Sequence, residues 1–321
     1  MKLFAAAACV LAVTGFSAEA ADALKVTVSH LVGWDGVFPA IMKEKGFAKE
    51  QNLDVTFINA GGGSETIQTA ATGSVQIAIP AAVHGTIAAY AKGAKVRIIA
   101  SALTGSGDTF WYVKAESPIK RAEDFDGKAL GYSRPNSVSH MLLQNFAKER
   151  GFNAKLVSVG DYPAARTMLM TGQLDITWAV SPFAMDIVRS GRVRIVATGA
   201  DVKAARDVIG RVGIANADYL KSNRDVVRRF MIAWHKATEY VYGPNFDEVV
   251  VWFGKQNGID ADTARMASKF FGTKENRAVM PIKAMDVAHK QALEFGFIKE
   301  PLTEAQLKEL VDIVYDPAKG S

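Results

Sequence analysis

Two glycine- and serine-rich stretches carry the residue types needed to hold a small polar molecule by its oxygens. In "NAGGGSET" (59–66), Gly61, Gly62 and Gly63 let backbone approach a ligand closely, Ser64 can cap a following helix, and Glu65 or Thr66 enters its first turn. In "SRPNSVSH" (133–140), Pro135 sets a turn, Asn136 or Ser137 can cap, Ser139 adds a hydroxyl, and Arg134 supplies a fixed charge able to fork onto an oxyanion. A helix starting at such a stretch aims its unpaired N–H groups and positive dipole end at whatever sits there. Turns and caps use the same residues without any ligand, so each stretch alone has two readings. Together they read as two jaws of one anion site, with "VGWDG" (32–36) as a third loop in an equivalent position.

Known catalytic patterns do not fit. The triple glycine lacks the G-K-[ST] ending of a P-loop and misses the G-x-G-x-x-G spacing. No G-x-S-x-G elbow occurs, and Ser117 to Lys120 matches S-x-x-K without its companion motifs. The only cysteine is Cys9, so the rest of the chain has no thiolate nucleophile, disulfide or zinc-thiolate site. The five histidines show no close ligand spacing, and no metal or other cofactor is expected. His30, His84 and His140 do fall near expected strand ends, and a hydrogen-bonding role in a cleft is open to them, notably His84 and His140. Trp34 and Trp178 either wall an apolar ligand body or pack a hinge, whereas Trp111 reads as hinge packing.

The elements that would position these residues follow from patterning. Short β-branched runs ("KVTVSH", "LDVTFINA", "VQIAIP", "KVRIIAS") alternate with helical stretches closed by Gly46, Gly73 and Gly93, which is βαβαβαβ and an open α/β lobe. Segments 71–101 and 170–198 share Thr-Gly, a strand, Pro80 or Pro182, a helix, a glycine and Val-Arg-Ile-Ile/Val-Ala, so two similar lobes are expected. Phe110 to Lys114 leaves the first lobe, and a second crossing lies near Asp207 to Ala215. After Ala217 apolar residues at three- and four-residue spacing predict helices to the end, with Trp234 and Trp252 in the core. The boundaries expected are 1–20 for a signal peptide, 21–112 with 208–321 for the first lobe, and 113–207 for the second.

The opening "MKLFAAAACVLAVTGFSAEA" has a basic residue, an apolar run and Ala18-Glu19-Ala20, and reads as a secretory signal cleaved after Ala20. Acylation at Cys9 is the rival reading, but only eight residues precede it. The net charge of +5 is spread along the chain with no basic run or aromatic ladder, so nucleic acid is not an expected partner.

"GVFPAIMKEKGFAKEQNLDVTFINAGGGSETIQTAATGSVQIAI", followed by "AKGAKVRIIAS", "ESPIKRAEDFDGKALGYS" and "TGQLDITWAVSP", resembles the substrate-binding proteins of ABC importers for aliphatic sulfonates, taurine, nitrate and thiamine-pyrimidine precursors. Within that pattern Gln76 stands where the first-lobe motif usually has Asp, whereas Asp175 keeps it. The resemblance implies a type II periplasmic-binding-protein fold: two lobes, each an open, mostly parallel sheet flanked by helices, with a helical C-terminal extension. It implies a periplasmic monomer that closes on its ligand and delivers it to a permease and an ATPase, without catalysis. The ligand expected first is a small organic anion such as a sulfonate. An aromatic carboxylate or pyrimidine is the alternative, and a periplasmic sensor or, less readily, an enzyme on the same fold are alternative classes. The residues expected to meet the ligand are Trp34, Gly62, Gly63, Ser64, His84, Arg134, Ser137, Ser139, His140 and Trp178.

Overall fold

The computed structural model describes residues 20–320; the expected signal peptide, Cys9 included, lies outside the described residues apart from Ala20. Strands β1 (Asp22–Val28), β2 (Leu53–Asn59), β3 (Ile77–Ala82), β4 (Val96–Thr104) and β10 (Ile209–Asn216) form one sheet in the order β2-β1-β3-β10-β4. Strands β5 (Thr109–Lys114), β6 (Ala129–Tyr132), β7 (Lys155–Ser158), β8 (Thr177–Val180) and β9 (Val193–Thr198) build the second lobe as β8-β5-β9 and β6-β7, joined by a parallel bridge between Leu130 and Ile176. The β1–β2, β1–β3 and β6–β7 pairs are parallel. The antiparallel member of each lobe is the strand arriving from the other: β5 pairs antiparallel with β8 and β9, and β10 with β3 and β4.

Buried β-branched runs explain these strands. In β3, "IAIPAA" is buried at every residue and covered by helix α2 (Gly63–Ala71) and helix α3 (Val83–Ala91), as parallel strands under helices are. Upstream of these lies α1 (Val37–Glu44), which buries Val37, Phe38, Ile41 and Met42. In the second lobe α4 (Val138–Arg150) buries Leu142, Leu143 and Phe146, and α5 (Tyr162–Met170) starts at an Asp161 side chain that accepts from Ala164 N. The repeat shows as a shared device at the two motif positions. Gln76 Oε1 accepts from the Lys25 amide at 2.7 Å, and Asp175 Oδ2 accepts from the Ala129 amide at 2.8 Å. Either acceptor ties the start of its strand to a neighbour, so Gln serves where Asp is usual.

The tail is helical at Arg224–Val241, Phe246–Gln256, Ala261–Ser268, Met285–Glu294 and Glu304–Leu310. Trp234 is core, as expected, but Trp252 is only partly buried. Residues 272–284, between two of these helices, are not helical. Gly272 adopts φ +84° there and Pro281 restricts the residue before it. The segment lies along the exposed edge of β4: Ser101 N donates to Val279 O and Thr104 N to Asn276 O, both at 2.8 Å. A sheet edge is thereby covered.

The two crossings approach so closely that side chains are excluded. A Cβ on Gly199 would lie 2.0 Å from Ser106 O, and one on Gly105, itself at φ +72°, would lie 2.7 Å from Arg206 O. Gly199→Ala is therefore expected to destabilise the protein by about 1–3 kcal/mol, the usual cost of overpacking, read as a melting temperature lowered by several degrees in calorimetry. An unchanged melting temperature would mean the crossings can separate freely.

Candidate ligand site between the lobes

Between the lobes lies a small cavity of about 60 Å³, lined by residues from both sides. The loop after β1 brings Ser29, His30, Gly33, Trp34 and Asp35 to it; α2 brings Gly63; the start of α4 brings Ser137, Val138 and Ser139. The second lobe adds Tyr162, Trp178, Val180, Ser181 and Phe183. The crossings contribute Asp108 and Arg211, and the irregular tail segment contributes Arg277.

Four of these side chains form a buried charge network. Arg211 forks onto Asp108, with Nη2 donating to Oδ1 at 3.1 Å and Nη1 to Oδ2. Arg277 Nη1 donates to Asp35 Oδ1 at 2.5 Å, its Nη2 reaches Asp108 Oδ2 at 3.5 Å, and its Nε donates to Phe271 O at 3.0 Å. Burial on its own would raise the Asp35 pKa, but the Arg277 and Arg211 charges outweigh it and hold the carboxyl below its usual range. Burial likewise works against the charged guanidinium of Arg277, and the Asp35 carboxylate overcomes it, so the group stays ionised. His30 has its pKa lowered by burial, which leaves a neutral imidazole able to donate and accept. Its ring lies 5.0 Å from Tyr162 and 5.8 Å from Phe183, and those two rings stack at 4.0 Å.

The structure distributes the ten expected residues unevenly. Gly63, Ser137, Ser139, Trp34 and Trp178 line the cavity. Ser137 is the α4 cap, its Oγ accepting from His140 N at 3.2 Å, and Ser139 Oγ accepts from Ser133 N at 3.0 Å. Trp34 also packs a wall: its ring stacks on Phe271 at 3.9 Å and its Nε1 donates to the Tyr242 hydroxyl at 3.0 Å. Gly62 is at the rim, where an added Cβ would meet Glu65 Oε2 at 2.4 Å and Arg134 Nη1 at 2.7 Å. Ser64 does not cap α2; its Oγ donates across the cleft to Pro135 O at 3.3 Å. Arg134 does not line the cavity but pairs with Glu65, Nε to Oε1 at 2.9 Å, and donates to Gly160 O. The glutamate in the first turn of α2 thus supplies the anion that a ligand was expected to supply.

His84 and His140 lie elsewhere. His84 Nε2 meets Gln291 Oε1 at 3.0 Å and its ring sits 5.7 Å from Phe297; His140 stacks on Tyr132 at 4.6 Å and lies 5.5 Å from the same Phe297. Both anchor the C-terminal extension, and the three histidines near strand ends do not converge. Among the described residues no group of three His, Cys, Asp or Glu side chains is placed to hold a metal ion. Asp35, Asp108, Arg211 and Arg277 were not among the expected residues; the available signal was Arg211, a lone charge inside the apolar strand "IGRVGIAN".

Asp108→Ala leaves two buried guanidinium groups short of a partner and is expected to cost about 3–5 kcal/mol in denaturant unfolding. Arg134→Ala breaks a half-exposed pair and is expected to cost under about 1 kcal/mol. Equal costs would mean the inner network is not the main electrostatic support. Burial pushes the His84 pKa down from 6.5 to about 4. The unfolded chain then binds the extra proton between those values, so this stability is full above pH 6.5 and falls as pH drops toward 4. The span corresponds to about 3 kcal/mol, and His84→Gln is expected to flatten the stability profile between pH 7 and 4. A mutant profile parallel to that of the parent would contradict it.

Comparisons with known proteins agree with the two-lobed geometry. A family model described as NMT1/THI5 like matches residues 38–245. The 4-amino-5-hydroxymethyl-2-methylpyrimidine phosphate synthase THI13 of Saccharomyces cerevisiae is 25% identical over 245 residues, spanning 70% of this chain and 69% of its own. Among solved structures, the periplasmic aliphatic sulphonate binding protein SsuA of Escherichia coli superposes with a TM-score of 0.70 at 17% identity, covering 89% of this chain and 91% of that one. The desulfurization enzyme DSZB superposes at 0.63 and 15% identity, covering 91% and 96%. The fold is therefore the two-lobed type II periplasmic-binding-protein fold, on which both binding proteins and enzymes are built. With its family match running from α1 to the turn after the long tail helix, the chain belongs to the NMT1/THI5-like family.

Proposed function

We propose that the chain is an exported solute-binding protein that captures a small aromatic heterocycle of the pyrimidine class between its lobes and passes it to a membrane permease. In this reading the signal spans 1–20, one lobe comprises 21–108 with 208–321 and the other 109–207, the expected boundary at 112 moving back because all of β5 pairs within the second sheet, and the protein acts as a monomer in the periplasm without catalysis. The carrying observation is the charge pairing of the cavity. Both of its arginines, Arg211 and Arg277, are bound to Asp108 and Asp35, and Arg134 is occupied by Glu65 at the rim. Among the described residues an entering anion would meet no unpaired cavity guanidinium to offset its desolvation. An uncharged ring would find Trp178, Tyr162, Phe183 and His30 as walls. The yeast relatives are named for a pyrimidine phosphate, which supports the same class.

A sulfonate remains the second reading, favoured by one feature. The first turns of α2 and α4 meet at the cavity with the hydroxyls of Ser137 and Ser139, donors suited to oxyanion oxygens. Catalysis of the kind the relatives' names describe would have to proceed without a thiol, since no cysteine follows Cys9.

A thermal-shift panel separates these readings. At a hundred times its dissociation constant a ligand adds about 2.7 kcal/mol of stability. 4-Amino-5-hydroxymethyl-2-methylpyrimidine is expected to raise the melting temperature, with taurine, ethanesulfonate and nitrate leaving it unmoved. A shift with ethanesulfonate alone supports the second reading, and no shift with any of them overturns both.

A further inference from the structure

We propose that the Trp178 indole N–H is the donor that selects the ligand, so that the ligand turns an in-plane acceptor, a ring nitrogen or a carbonyl oxygen, toward β8. The inference rests on the heterocycle reading above and names the atom that enforces it. Trp178 and Val180 alternate along β8 and so share one face, and both line the cavity. Trp178 is only 5% exposed, and its Nε1 is buried with no hydrogen-bond partner. Such a group carries a desolvation cost that an arriving acceptor removes.

The neighbouring acceptors are already engaged. Asp108 holds Arg211 and Arg277, and Asp35 holds Arg277. Ser181 Oγ turns away to donate to Ala267 O at 2.9 Å. The Tyr162 ring lies 4.8 Å from the indole and backs the same wall. A natural control sits opposite on β5. Trp111 pairs with Trp178 in the strand register, and its Nε1 is also unpartnered, but it packs on Phe146 and does not line the cavity. An unpaired indole N–H therefore occurs in this sheet on a residue that lines the cavity and on one that does not, and only the first should affect binding.

The test is calorimetric titration with two probes, 4-amino-5-hydroxymethyl-2-methylpyrimidine and 2-amino-4-methylbenzyl alcohol, which is the same molecule with both ring nitrogens replaced by C–H. The parent protein is expected to bind the pyrimidine about tenfold or more tightly than the carbocycle, the size of one buried hydrogen bond. Trp178→Phe, which keeps an aromatic ring and removes the donor, is expected to erase that preference by weakening the pyrimidine alone. Trp111→Phe should leave both affinities unchanged. Pyrimidine binding by Trp178→Phe within about threefold of the parent overturns the donor role while leaving the heterocycle reading intact. Equal weakening of both probes overturns it in favour of lost packing. A parent protein that binds neither probe defeats the heterocycle reading and this inference with it.

Discussion

The inner network of Asp35, Asp108, Arg211 and Arg277 is the interaction on which the site depends. Each member comes from a different part of the chain: the loop after β1, the first crossing, the returning strand and the tail. Removing four charges from water is expensive, and only mutual pairing with good geometry offsets it. The chain must therefore bring all four segments together or leave a buried charge alone. That requirement places the crossings, the tail and the cavity floor in one arrangement. It also sets the electrostatic character of the cavity, because charges spent on each other are withheld from the ligand.

Around this centre the two lobes use matching construction. Each holds one antiparallel strand that enters from the other lobe, and each ties a strand start with a side-chain acceptor, Gln76 in one and Asp175 in the other. The rim is closed by softer contacts: the Glu65–Arg134 pair and the Ser64 hydroxyl on the Pro135 carbonyl. A half-exposed ion pair is weak enough to break during ligand exchange, while the inner network is not. Strength thus increases from the mouth to the floor.

Much of this was legible in the sequence because patterning is local. Alternating β-branched and helical runs gave the strands, the Gly61–Gly63 and Ser133–His140 loops gave both helix starts at the cleft, and Asp207 to Ala215 gave the return crossing. What stayed hidden was pairing across long separations. Arg134 looks like an anion ligand until Glu65 is found opposite it, and nothing in either loop announces that. His84 lies just past a strand, as expected, but the chain has already turned into α3 and faces Gln291. Arg277 lies in the stretch between two helical segments of the tail, bounded by Gly272 and Pro281, and its placement along β4 depends on backbone bonds between distant segments.

The tail segment carrying Arg277 has a consequence for how such proteins can be recombined. Its backbone bonds attach it to β4, and its side chain completes the cavity floor beside Asp35 and Asp108. A chimera that transplanted the second lobe alone, to borrow its binding preference, would keep this floor from the recipient. One that exchanged the C-terminal helices as an inert appendage would replace it. The tail and the first lobe are therefore a single unit of inheritance as far as the ligand is concerned, although the chain visits the second lobe between them.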